Sequence, residues 1–236
     1  VSWFSMISAN IDRLRERIVA ACRRSGRRPE DVTLIAVAKT FPAGLVEEAV
    51  RAGVADIGEN YVQELLGKRA ALSALDIRWH FIGHLQSNKV RQIAEWVHIV
   101  HAMDSMSVAR ELDARAARAG RIIEALVEVN TTGEQTKFGL PPEGVPGFIR
   151  SLEPFSHIRI GGLMTIGPFL PDPEGSRPMF RTLRMLRDAI AAAPQANMDL
   201  HHLSMGMTGD FEVAIEEGAT LVRICTAIFG SRKKPA

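Results

Sequence analysis

The sequence predicts a single (β/α)8 barrel of the TIM type, a ring of eight parallel strands wrapped by helices, with one extra helix at the N-terminus. Three observations predict it. Short apolar runs alternate with longer helical patterns along the whole chain, the mark of a parallel sheet covered by helices. There are eight such runs, and neither a GxGxxG turn nor a cue for reversed strand order points to an open doubly wound sheet. The 236 residues are 46% hydrophobic and 24% charged, enough for a sizeable core, and no Pro/Ser/Gly-rich linker divides them, so residues 1–236 are expected to form one domain.

An amphipathic pattern over residues 8–25 predicts the opening helix. The first strand is expected over 32–38, where TLIAVA is almost continuously apolar, as a strand covered on both faces must be. Helix 43–51, strand 56–58, helix 61–75, strand 78–82 and helix 87–96 follow, and then strand 97–101 and helix 105–119. The second half continues with strand 122–129, helix 142–152, strand 158–165, helix 174–193, strand 199–203, helix 211–217 and strand 221–224. Ser or Pro opens several of these helices and Gly closes them. A helix is expected after every strand except the last.

Composition excludes several functions. The formal charge of +2 is too nearly balanced to argue for nucleic acid, and the basic tail Ser231, Arg232, Lys233, Lys234 reads as a solvated terminus. Two cysteines, Cys22 and Cys225, match no metal motif or disulfide framework. No run has the apolar length of a membrane span, and the first residues turn into an amphipathic helix instead of a signal-peptide core, so a cytoplasmic protein is expected. No metal is expected either. His80 and His84 straddle a strand end, while His98 with His101, and His201 with His202, should point to opposite faces of their strands.

Barrel chemistry collects at the carboxyl ends of the strands. The polar or functional residues there are Lys39, Glu59 with Asn60, His84, Asp104, Asn130, Met164 with Thr165, Ser204 and Arg223, which should ring one mouth. Lys39 closes the first strand; a partly desolvated lysine can attack an aldehyde and form an imine, or it can simply snorkel to solvent. The stretch from Ser204 through Gly206 and Thr208 to Gly209 offers hydroxyls and glycine-exposed amides before a helix, the ingredients of an anion site. Thr208 read as a plain N-cap is the alternative. Arg223 must face the barrel interior or meet a partner such as Glu59, because an unpaired buried guanidinium is costly.

Several longer motifs carry a resemblance. AVAKT (36–40), GENYVQE (58–64), WHFIGHLQSNK (79–89), TKFG (136–139), GLMTI (162–166), LSMGMTGD (203–210) and VRICTAIFG (222–230) resemble, in order and over nearly the whole chain, the pyridoxal phosphate homeostasis protein family. That family is similar to the N-terminal barrel of alanine racemase. The resemblance implies that Lys39 carries pyridoxal 5′-phosphate (PLP) as a Schiff base, and that Ser204, the turn around Gly206 and Thr226 hold its phosphate. Arg223 is implied to face the pyridine nitrogen, with Asn60, His84 and Met164 as walls. One position departs from the pattern: Cys225 stands where the family usually has glycine, which puts close approach of that backbone to the phosphate in doubt.

The implied function is PLP homeostasis, buffering the cofactor or delivering it to PLP-dependent apoenzymes, with indirect effects on amino- and keto-acid balance and no fast turnover. A slow PLP-dependent racemase is the alternative. An arginine cannot protonate the pyridine nitrogen, and a racemase needs a second base, which alanine racemase takes from a tyrosine in a further domain. The chain stops at Ala236, soon after the eighth strand, and its one tyrosine is Tyr61, so that base is expected to be missing. A Schiff-base aldolase is disfavoured by the position of the lysine on the first strand. Lys137, in the loop after the fifth strand, is read as a solvated lysine or as a transient second PLP contact. A monomer or weak dimer is expected.

Overall fold

The computed structural model describes residues 3–134 and 136–230; the basic tail lies outside the described residues. Helix α1 (Trp3–Arg24) precedes β1 (Thr33–Val37), α2 (Ala43–Arg51), β2 (Asp56–Glu59), α3 (Val62–Ala71), β3 (Arg78–Phe81) and α4 (Ser87–Val90). Then come β4 (Ile99–Met103), α5 (Met106–Arg118), β5 (Ile123–Glu128), α6 (Val145–Ser151), β6 (Ile158–Met164) and α7 (Arg177–Ala191). The last elements are β7 (Met198–Ser204), α8 (Phe211–Glu216), β8 (Leu221–Ile224) and α9 (Thr226–Phe229).

The eight strands close into a parallel barrel, β1 pairing with β2 through Ala36↔Ile57 and with β8 from Thr33↔Leu221 to Ala36↔Ile224. Several details differ from the expected pattern, helix α1 among them, since it starts at Trp3 and not at residue 8. A short helix, α9, does follow the last strand. Helix α4 stops at Val90, because beyond it bonds three residues apart (Gln92 N to Lys89 O, Trp96 N to Ile93 O) mix with bonds four residues apart, and the chain proceeds as successive turns. Strand β4 starts two residues late, at Ile99.

Apolar packing has two layers. The larger lies between the strands and the helices, where α1 contributes Ile7, Ile11, Leu14 and Ile18 at the spacing of one helical face. Helix α1 packs against α8 and adds the ion pairs Arg17–Glu212 and Arg24–Glu216. The smaller layer, inside the barrel, is Ile35, Ile99, Ala102, Leu126, Met164 and Leu221. That interior is shared with buried polar groups: Asp56, His80, His101, Glu128, Ser204 and Arg223. Among the described residues no helix is long and apolar enough to cross a membrane.

Candidate functional site

Lys39 sits two residues past β1, half-buried, in a segment that is clamped on both sides. Ala38 N–H extends the ladder to Gly58 O at 2.9 Å, and Ala38 O accepts from Lys68 Nζ at 2.7 Å. On the other side, Thr40 N–H donates to Glu64 Oε2 at 2.7 Å, and Thr40 holds a left-handed φ of 67°, costly for a β-branched residue. Lys68 joins the two clamps, pairing with the fully buried Glu59 and, at 3.1 Å, with Glu64. Burial pushes the Glu59 carboxyl up, against the pull of Lys68. Glu59, one of the partners the sequence offers for Arg223, pairs with Lys68 instead.

Beside Lys39 a cavity of about 280 Å³ opens at the carboxyl ends of the strands. Val37, Ile82, Ile166 and Phe169 make its apolar walls, while Lys39, Asn60, Thr208, Arg223, Cys225 and Thr226 bring polar groups. Asn60 is held closely, because a Cβ on Gly83 would collide with its backbone, and its Oδ1 is buried without a hydrogen-bond partner. A cleft of about 430 Å³ at the opposite end of the barrel is lined by Arg15, Asp56 and Arg78 among others, with neither lysine nor cysteine among the described lining residues.

Of the residues expected at the mouth, the fold brings Lys39, Asn60, Thr208, Gly209, Arg223, Cys225 and Thr226 to this cavity, while Ser204, Gly206, Met164 and His84 are not among its lining residues. Ser204 points into the barrel, fully buried. Gly206, at φ 92°, lies behind the turn, where a Cβ would press on Ala214 and Phe211, so that Met207, Thr208 and Gly209 face the cavity. Met164 belongs to the interior apolar cluster. His84 lies off the cavity lining, stacked on Phe138 at 4.0 Å with its Nδ1 3.5 Å from Asp104.

Arg223 is buried, and sequence reasoning missed what holds it. Its Nη2 donates to Thr165 O at 2.8 Å and its Nη1 to Ser204 Oγ at 2.5 Å. Ser204 Oγ lies 2.8 Å from His101 Nδ1, His101 Nε2 lies 2.9 Å from His80 Nδ1, and His80 Nε2 lies 3.0 Å from Asp56 Oδ1. Burial holds His101 well below the usual imidazole range. With neutral imidazoles only one direction satisfies every member: guanidinium to hydroxyl, to His101, to His80, to carboxylate, because arginine cannot accept and an ionised Asp56 cannot donate. Burial opposes ionisation of Asp56, but hydrogen bonds from His80 and Arg78 win and hold it at about 2. Burial lowers Arg223 to about 10, with Glu128 and Asp210 opposing the shift, so it stays charged near neutrality. The sequence signal was available in the inward-facing polar positions of RWHF and IVHAM.

The alanine racemase N-terminal domain family matches residues 9–233. A pyridoxal phosphate homeostasis protein from Aquifex aeolicus is 45% identical, over 94% of this chain and 97% of the relative. The chain belongs to the pyridoxal phosphate homeostasis protein family. The solved structure of a Synechococcus elongatus protein, PipY with PLP bound, superposes with a TM-score of 0.83 at 32% identity, covering 95% of this chain and 100% of that one. An alanine racemase from Clostridium difficile has a TM-score of 0.73 at 14% identity, covering 98% of this chain and 58% of that one, a likeness of fold alone.

This member of the homeostasis protein family also buries an acid inside its barrel. Burial raises Glu128 from 4.5 to about 7, Asp104 adds to the rise, Arg223 opposes it, and Glu128 Oε2 has no hydrogen-bond partner. A carboxyl raised in the fold is tolerated best while protonated. Its cost is absent below the unfolded value of 4.5 and grows as pH rises toward about 7. Glu128→Gln is therefore expected to be more stable than wild type by ~1–3 kcal/mol at pH 8 and to match it near pH 4.5, read from urea unfolding at both pH values.

Proposed function

We propose that this chain holds PLP at the barrel mouth, anchored covalently by the Lys39 amine, and serves to buffer the cofactor or hand it to PLP-dependent apoenzymes. The observation that carries this reading is Lys39, set between the clamped backbones of Ala38 and Thr40, sharing one cavity with Arg223. Bound there, PLP supplies an aldehyde that condenses with an amine and a ring that withdraws electrons. The residues present fit the group: an amine at one wall, a buried guanidinium at another, the orphaned Asn60 Oδ1, and hydroxyls with backbone amides at the two closing turns.

In this reading Thr208, Thr226 and the backbone around Met207 and Gly209 grip the phosphate, while Ser204 orients Arg223. Cys225 has φ −114°, so its side chain brings no left-handed strain. Its Cβ and thiol occupy space on the cavity wall instead. Arg223 is committed through Ser204 to a chain that ends at Asp56, and it keeps any ring nitrogen it faces unprotonated, which weakens the electron sink. Tyr61, 57% exposed, is not among the cavity residues and supplies no second base there. Lys137 pairs with Glu134 at 2.8 Å, which favours its reading as a surface lysine.

The test is to mix PLP-loaded protein with a PLP-dependent apoenzyme, and separately with several L-amino acids followed by chiral chromatography. Reactivation of the apoenzyme without sustained racemisation is the expected result. Sustained racemisation would favour the slow racemase.

A further inference from the structure

The strand pairing of β6 and β7 is irregular, and the irregularity gathers three metal-ligating side chains that strict alternation would separate. Between the pairs Ile160↔Met198 and Gly162↔His202, residues 199–201 of β7 stand opposite Gly161 alone. The expectation that His201 and His202 face apart fails here, their ring centroids lying 3.9 Å from each other. Both turn Nε2 toward one atom, Oε1 of Glu124 on β5, at 3.6 Å from His201 and 3.4 Å from His202. Gly161 leaves the necessary space, because a Cβ there would collide with the Glu124 carboxylate.

The second ring nitrogen of each histidine is already engaged. His201 Nδ1 lies 2.9 Å from Asp199 O, which can only accept, so this nitrogen carries the proton. His202 Nδ1 lies 3.1 Å from Thr220 Oγ1, which also accepts from Leu203 N–H at 3.0 Å. A carbonyl partner of this kind fixes the tautomer of a metal-ligating histidine, so the Nε2 lone pair of His201 points inward, and Thr220 Oγ1 can accept from His202 Nδ1 to the same effect. Two lone pairs then converge on a carboxylate oxygen that is buried and has no hydrogen-bond partner, an arrangement that calls for a cation. The spacing fits: bonds of ~2.0–2.1 Å at tetrahedral angles put neighbouring ligand atoms ~3.3–3.4 Å apart.

We propose that Glu124, His201 and His202 bind one divalent transition-metal ion of the zinc class, with water in the fourth position. Two imidazoles and a carboxylate suit zinc, cobalt or nickel better than magnesium or calcium. His201 is 46% exposed, which gives the ion a path from solvent. The nearby charges of Asp199 and Arg159 oppose each other, leaving the ligand set itself to attract the cation. The site joins β5 and β7 across Gly161 of β6 and shares no lining residue with the Lys39 cavity.

Equilibrium dialysis of untagged protein against zinc, with cobalt absorption as a probe of four-coordinate geometry, tests this directly. One zinc per chain is expected, weakened at least ~10-fold in both His201→Ala and Glu124→Gln, with PLP uptake unchanged in each. Zinc should also raise the unfolding temperature of the wild type and not of the variants. Should Glu124→Gln fail to fold, His201→Ala decides, since nearly half of that side chain is already in solvent. Equal zinc uptake by wild type and His201→Ala, or no uptake by wild type, would overturn the proposal and leave a contact between a carboxylate and two imidazoles in its place.

Discussion

Lys39→Ala is expected to abolish retention of PLP: protein loaded with excess cofactor and passed through a desalting column should emerge colourless, whereas wild type stays yellow. Among the described residues Lys39 is the only amine that lines the cavity, so its loss would remove the proposed covalent link and leave only reversible contacts from Arg223 and the closing turns. A loss of apparent affinity of at least ~100-fold, ~2.7 kcal/mol, is the expected scale. Stability should change little, within about 0.5 kcal/mol, because the side chain is half-buried and is not clamped itself; the clamps hold the backbone of Ala38 and Thr40. Retention of a full equivalent of PLP by this variant would remove Lys39 from the site.

Lys68→Met should have the largest effect on stability, a loss of ~3–5 kcal/mol at pH 8, because Glu59 would be left ionised and unmatched in a fully buried position. Burial already raises the Glu59 carboxyl, and without Lys68 that push is unopposed. The penalty is full above the raised folded value and fades as pH falls toward the unfolded carboxylate range, where Glu59 carries its proton in both states. Urea unfolding at pH 8 and pH 5 should therefore show a smaller difference from wild type at the lower pH, and the double variant Lys68→Met/Glu59→Leu should recover much of the loss. Ala38 O loses its donor in both variants, so PLP binding should stay weakened even where stability returns. A Lys68→Met protein as stable as wild type at both pH values would contradict the clamp.

The barrel was legible because strands covered on both faces read as compact apolar runs, TLIAV being the clearest, and because amphipathic helices lie between them. Position along a strand was legible too: Lys39 and Arg223 stand where residues closing or lining a strand should meet the mouth. Facing was harder. Ser204 ends its strand as expected but turns inward to Arg223 and His101, and that depends on register, which the order of residues alone does not reveal. The interior chain from Asp56 through His80 and His101 stayed hidden because a barrel core is expected to be apolar, and its polar members stabilise each other only once three strands are closed side by side. His201 and His202 were separated by strict alternation, and the extra residues of β7 opposite Gly161 undo it.

Borohydride reduction of the PLP-loaded protein, followed by peptide mass mapping, is the most direct measurement of where the cofactor is joined. The pyridoxyl mass is expected on the peptide that contains Lys39, and no peptide of the Lys39→Ala variant should carry it in comparable yield. A reduced adduct on Lys137 or another lysine, with Lys39 unmodified, would contradict the assignment of the barrel mouth as the PLP site.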